Sequence, residues 1–296
     1  MDLHQLKVFH AVAETVSFTQ ASRKLHLSQS TVSQHIRQLE QELACEMFAR
    51  VGKRVLITEA GKVLLGYCDR ILSDLRNAQM AMHELNGMQR GSLRFGSGAT
   101  TLIYQLPPVL TAFKTKYPNI DLVVMTDTTE ILLTAIKAQQ LDLGLVMLPV
   151  TDPELKVTPL CEEELMIAIH RGHPLARKRS LTIRDVTTLS FILYEKKTVM
   201  RKLIDHFFAN LGISPQIAMM MENIEAIKSL VGAGLGASVL PEHAATREAR
   251  DAKVRLMRVE GHPLYRQLGL VSLTSKRLPN AVHELTKAIV TELGRK

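Results

Sequence analysis

Residues 17–57 read SFTQASRKLHLSQSTVSQHIRQLEQELACEMFARVGKRVLI, and the N-terminal fold follows from this stretch. Ser17 with Gln20 three residues later has the form of a helix cap, and Phe18, Ala21 and Leu25 mark the buried face of a short helix behind it. His26 and Leu27 make a tight connection, and Ser28 caps a longer helix from Gln29 to Leu43. Val32, Ile36, Leu39 and Leu43 recur on one face of that helix, while the opposite face opens with Gln29, Ser30, Thr31, Ser33, Gln34 and Arg37. Two short helices joined by a few residues, the second small and polar at its start, form the helix-turn-helix arrangement. Amides and hydroxyls at that point can reach base edges in a major groove.

Upstream, Asp2 with Gln5 predicts a capping box for a first helix carrying Leu3, Leu6, Phe9 and Ala13. Downstream, Met47 to Ile57 reads as strand, glycine turn and strand, with Arg50, Lys53 and Arg54 at the tip. A basic hairpin after the third helix is a wing suited to phosphate or minor-groove contacts. From Thr58, an N-cap with Glu59 behind it, to Leu85 there is no proline, and Gly61, Leu64, Cys68, Ile71, Leu75, Ala78, Met82 and Leu85 follow a heptad seam. Such a helix predicts a dimer, which sets the spacing of two half-sites. Cys68 on the seam reads as a small buried hydrophobe before an intersubunit disulfide. Asn86, Gly87 and Gly91 mark a boundary.

These residues resemble the N-terminal domain of LysR-type transcriptional regulators. The resemblance rests on Phe9 to Ala13, Ser17 to Leu27, Ser28, Gln29, Ser33, Ile36 to Leu43, Phe48, Arg50 and Thr58 to Gly61. Ser30 and Thr31 stand where the family commonly has Pro and Ala, and Cys45 where it commonly has Gly. Ala226, Val231, Gly234, Leu235, Gly236 and Pro241, with the turn His173 to Ala176, extend the resemblance over nearly the whole chain. It implies a winged helix-turn-helix at 1–58, a linker helix at 59–88, and a two-lobed effector domain like a periplasmic binding protein. Lobe I is expected at 91–162 with 267–296, and lobe II at 163–266. It further implies a ligand-responsive regulator of double-stranded DNA with a pseudo-palindromic operator, assembled as a homotetramer from dimers.

The residues beyond Gly91 give their own reading. Short apolar strands at Leu93 to Gly96, Leu122 to Thr126, Leu141 to Leu148, Leu165 to His170, Phe191 to Tyr194, Gln216 to Met221 and Ala237 to Leu240 alternate with helices at Pro107 to Tyr117, Glu130 to Gln139, Val199 to Leu211 and Ile224 to Ala233. This predicts α/β architecture with two mostly parallel sheets. Ligands on such sheets bind beyond the strand ends, where helix starts offer free amides. Ser97, Thr100, Thr101, Thr128, Thr129, Thr198 and Asn223 occupy those positions and are the expected effector-binding residues. Taken singly, each is as well explained as a helix cap.

Composition bounds the rest. The chain has 296 residues, a net charge of +8 and 46% apolar residues, which suits about two soluble domains. Residues 1–90 hold 11 basic and 9 acidic side chains, so most of the positive excess lies beyond them and favours an anionic small ligand. With 8 Phe, 5 Tyr and no Trp, a stacking platform for single strands is disfavoured. Three cysteines preclude a disulfide framework, and charged residues interrupt every apolar run, so a cytoplasmic protein without membrane spans is expected. His170 and His173 lack further ligands at zinc spacing, Met219 to Met221 read as a core strand, and Glu162 to Glu164 as a solvated charge run. No catalytic constellation stands out, and neither a metal nor a cofactor is expected.

Overall fold

The computed structural model describes residues 1–52, 54–85, 90–246, 253–275 and 278–294. The chain divides into two compact units, residues 1–88 with 138–140 and residues 89–137 with 141–296.

The first unit contains α1 (Leu3–Thr15), α2 (Phe18–Leu25), α3 (Gln29–Leu43), the hairpin β1 (Phe48–Val51) and β2 (Arg54–Ile57), and the long α4 (Glu59–Leu85). Each predicted cap is formed. Gln5 N donates to Asp2 Oδ1 at 2.7 Å and Asp2 N to Gln5 Oε1 at 3.0 Å, so two orphan amides of α1 are satisfied reciprocally. The Gln5 amide holds the Asp2 carboxyl below the usual range. Ser17 and Ser28 accept from the amides of Gln20 and Thr31 in the same way. The helices end at Val16, His26 and Ala44, all left-handed with φ of 49°, 55° and 51°. The exit from α3 therefore places its left-handed residue at Ala44, one position before Cys45.

Phe9, Val12, Ala21, Val32, Ile36 and Leu39 form the core of this unit. The wing closes it, because Phe48 meets Phe9 and Phe18 at ring-centroid distances of 5.5 and 5.8 Å. At the start of α4, Thr58 Oγ1 donates to Glu46 O and accepts from Gly61 N. Gly61 is required by close approach: a Cβ there would lie 2.3 Å from Met47 O, a backbone atom that cannot rotate away. Cys68 is wholly buried under α1, its thiol donating to Leu6 O at 3.3 Å, and burial pushes its pKa up to about 12. It packs as a hydrophobe, covered by its own chain.

The second unit contains β3 (Gly91–Ser97), α5 (Ala99–Tyr104), α6 (Leu106–Lys116), β4 (Ile120–Thr126), α7 (Thr129–Lys137), β5 (Leu143–Met147), β6 (Leu155–His170), α8 (Ile183–Thr187), β7 (Ser190–Tyr194), α9 (Val199–Asn210), β8 (Gln216–Met221), α10 (Ile224–Gly232), β9 (Ser238–Pro241), α11 (His243–Thr246), β10 (Val254–Met257), β11 (Leu264–Leu273) and α12 (Asn280–Leu293). One sheet runs β10-β6-β11-β5-β3-β4, with β9 also on β6, and β7 pairs with β8 separately. Ile192 N donates to Ala237 O, tying that pair to the segment entering β9.

This corrects the expectation of two mostly parallel sheets. The β3–β4, β3–β5 and β7–β8 pairings are parallel, but β6 and β11 pair antiparallel from Leu264↔Leu165 to Leu273↔Leu155, and β5, β9 and β10 join them antiparallel. Glu162, Glu163 and Glu164 lie within β6 rather than in a solvated run, and Glu163 is buried. Met219, Met220 and Met221 do form a strand, but β8 is paired on one side only and Met220 is exposed, so it is not a core strand. Among the described residues no helix is long and apolar enough to cross a membrane.

Candidate functional site

Helix α3 divides cleanly. Val32, Ile36 and Leu39 face the core, while Gln29, Ser30, Gln34 and Arg37 are exposed and Thr31 and Ser33 half-buried. The Ser28 hydroxyl lies 2.7 Å from that of Ser30 and 2.8 Å from that of Thr31, so both substituted positions join the helix cap. Thr19 donates to the Gln29 side-chain oxygen at 3.3 Å, steadying the first residue of the helix. The wing pairs from Phe48↔Ile57 to Val51↔Arg54 around Gly52, whose φ of 62° suits glycine in the turn. Arg54 is exposed; the Arg50 side chain and Lys53 lie outside the described residues.

On α4, Leu64 and Cys68 pack against the core of their own unit, and Gly61 against the wing. Leu75 is half-buried, Ile71, Ala78 and Met82 are exposed, and the Leu85 side chain lies outside the described residues. Val63 and Tyr67, absent from the expected seam, are exposed beside Ile71 and Met82. Val63, Tyr67, Ile71 and Met82 fall within about 100° of helical arc, an unpaired apolar stripe.

The second unit holds a cavity of about 670 Å³, within the range of small-molecule sites. Thr100 and Thr101 line it from α5, Thr128 and Thr129 from the start of α7, Thr198 from the start of α9 and Asn223 from the start of α10. Ser97 is buried outside the lining, its hydroxyl donating to Gly98 O at 3.3 Å. The hydroxyls differ in what they have left to offer. Thr198 Oγ1 donates to Glu195 O at 2.9 Å and accepts from Arg201 N at 3.2 Å, so it is occupied as a cap. Thr129 Oγ1 accepts from Met147 N and keeps its proton, and Asn223 Oδ1 caps α10 while its NH2 remains for a ligand.

Two lining residues escaped the sequence reading. Arg266, on β11, donates from Nε to Glu163 on β6, with both side chains at most 5% exposed. Its Nη2, the other Glu163 oxygen and the Tyr194 hydroxyl are buried without a hydrogen-bond partner among the described residues. Burial raises the Tyr194 phenol above its ordinary range, partly offset by the nearby Arg266 charge. The available signal was the alternation Leu264, Arg266, Leu268, Leu270, which puts an arginine on an apolar face. At the mouth, Lys197 pairs with Glu222 at 3.2 Å and Glu195 at 3.4 Å, which raises its pKa. Lys202 lies 3.6 Å from Glu130, and the Tyr104 hydroxyl donates to Glu225.

Residues 3–62 match the family model described as a bacterial regulatory helix-turn-helix protein of the lysR family, and residues 86–294 match the LysR substrate binding domain. The chain belongs to the LysR-type transcriptional regulators. The RuBisCO operon transcriptional regulator of Allochromatium vinosum is 32% identical over 100% of this chain and 97% of its own length. The HTH-type transcriptional activator CmpR of a Synechocystis strain is 29% identical over 93% of this chain and 90% of its own. A full-length structure of CbnR complexed with its target DNA superposes with a TM-score of 0.74, covering 99% of this chain and 100% of that one at 22% identity. As a LysR-type regulator, the chain is a ligand-responsive, DNA-binding transcription factor and not an enzyme.

Proposed function

We propose that this regulator binds a small anionic effector in the cavity of its second unit, and that binding changes how α3 and the wing engage or bend a pseudo-palindromic operator. The observation that carries the reading is the gathering of Thr100, Thr101, Thr128, Thr129, Thr198 and Asn223 around one cavity, from segments that precede β6 and segments that follow it in the chain. Residues 1–58 are assigned to DNA, 59–88 to dimerisation, 91–162 with 267–296 to lobe I and 163–266 to lobe II. The exposed stripe of Val63, Tyr67, Ile71 and Met82 supports pairing of two α4 helices. The dimer assembles into a tetramer in the cytoplasm. Because α3 presents Gln29, Ser33, Gln34 and Arg37, it is assigned to base edges, with Arg50, Lys53 and Arg54 on phosphates.

The test is binding to duplexes selected from a random pool, at fixed and varied salt. Gln29→Ala or Ser33→Ala should cost ~1–3 kcal/mol of discrimination at one or two half-site positions. Arg54→Ala should weaken all sequences alike and lower the salt slope by about one. Identical specificity profiles for the two kinds of variant would remove α3 from base readout.

A further inference from the structure

We infer that Arg266 and Tyr194 form the anion end of the effector site, and that the effector is a hydroxy-carboxylate with a single negative charge. This rests on the effector occupying the cavity proposed above. The carboxylate lies against Arg266 and Tyr194, and the hydroxyl-bearing body extends toward Thr100, Thr101 and Thr128.

Three observations lead there. First, Arg266 and Tyr194 both line the cavity, and each keeps a buried polar atom that no group of the described residues satisfies. Folding leaves such groups orphaned at a cost, and an acceptor brought by a ligand removes it. Both groups can donate, so the missing partner is an acceptor, and beside a guanidinium an anionic oxygen is the strongest one.

Second, Glu163 limits the charge that the site will take. Its bond to Arg266 Nε fixes the guanidinium and leaves the pair neutral as a whole. Around the same cavity Asp127, Glu130 and Glu222 outnumber Lys197, whose charge is already matched by Glu195 and Glu222. A second negative charge on the ligand finds no free cation among the described lining residues, which disfavours phosphate esters. Third, the remaining polar lining is hydroxyl and amide in character, which suits a polyol body.

Tyr194→Phe is the informative variant. The hydroxyl it removes has no partner among the described residues, so the melting temperature without ligand should not fall. The full chain is titrated by calorimetry and thermal shift, at constant ionic strength, with hydroxy-monocarboxylates from glycerate to gluconate. Sorbitol, hexanoate and glucose 6-phosphate serve as the neutral, hydroxyl-free and dianionic counterparts.

At least one hydroxy-acid should bind more tightly than all three counterparts, and Tyr194→Phe should weaken it about tenfold. The double variant Glu163→Gln with Arg266→Gln, which keeps a neutral pair of similar size, should abolish the preference for the acid over sorbitol. The inference is overturned if no hydroxy-acid binds better than sorbitol, if glucose 6-phosphate binds more tightly, or if both variants keep full affinity. Thr101→Val separates the two levels. Loss of binding in Thr101→Val with full affinity in Tyr194→Phe would keep the cavity as the site and overturn its anion end. Full affinity in all the variants would remove the cavity itself.

Discussion

In the DNA-binding unit Gln29, Gln34 and Arg37 on one helix and Arg54 on the hairpin stand exposed, over a core of Phe9, Val32, Ile36 and Leu39. In the sensor unit the side chains lining the cavity come from α5, α7, β7, α9, α10 and β11, and Arg266 and Tyr194 are themselves buried. The difference matches the two ligands. A duplex is large and met from outside, so a firm support and protruding side chains suffice. A small effector must be surrounded, so its binding groups are placed where water is scarce and where leaving them unsatisfied is costly.

The contrast makes the sensor unit the more sensitive of the two to loss of a binding side chain. Arg266→Ala leaves Glu163 buried and unpaired, and should cost about 3–5 kcal/mol. Segment-resolved hydrogen exchange should show β6 and β11 losing protection while α1 to α3 keep theirs. Equal loss in both units would break the comparison.

The DNA-binding unit has its own weak point, which lies in packing. Gly61→Val places a Cβ against Met47 O, and overpacking of this kind should cost about 1–3 kcal/mol. Urea unfolding and operator affinity should both suffer, while gluconate-series binding should not change. An unaltered unfolding curve would mean that α4 can shift away from the wing.

The smallest effect is in acid. Glu284 on α12 is held at about 2, against an ordinary 4.5, by Lys116, then Tyr117 and Lys287. A folded pKa below the unfolded value contributes stability above pH 4.5 that fades as pH falls toward 2. The protection of α12 and α6 should decline through that window, and Glu284→Gln should flatten the decline. A profile unchanged in Glu284→Gln would assign the acid sensitivity to other carboxylates.

How far the chain could be read follows the same division. Asp2 with Gln5, Ser17 with Gln20 and Ser28 with Thr31 were readable as caps because both partners of each bond lie within three residues. Six of the seven expected effector residues, all but Ser97, line the cavity, reached by the same local logic, since a hydroxyl or amide at a helix start shows in the sequence. Which hydroxyls are spent could not be read there: Thr198 is used in both directions by its own cap. Likewise the heptad pattern exposed an apolar side of α4, but Cys68 on that pattern turned out to face Leu6.

Periodicity, caps and turn glycines act over a few residues, and they suffice for the helix-turn-helix, the wing, the long linker helix and the alternation of strands with helices. The antiparallel course of β6 and β11, and with it the place of the buried Glu163–Arg266 pair, emerges from long-range packing. Glu163 and Arg266 stand 103 residues apart, and the antiparallel register that sets Arg266 opposite Glu163 is a long-range pairing. The local trace of the pair is Arg266 on the apolar face of β11, and its partner Glu163 shows only in the fold.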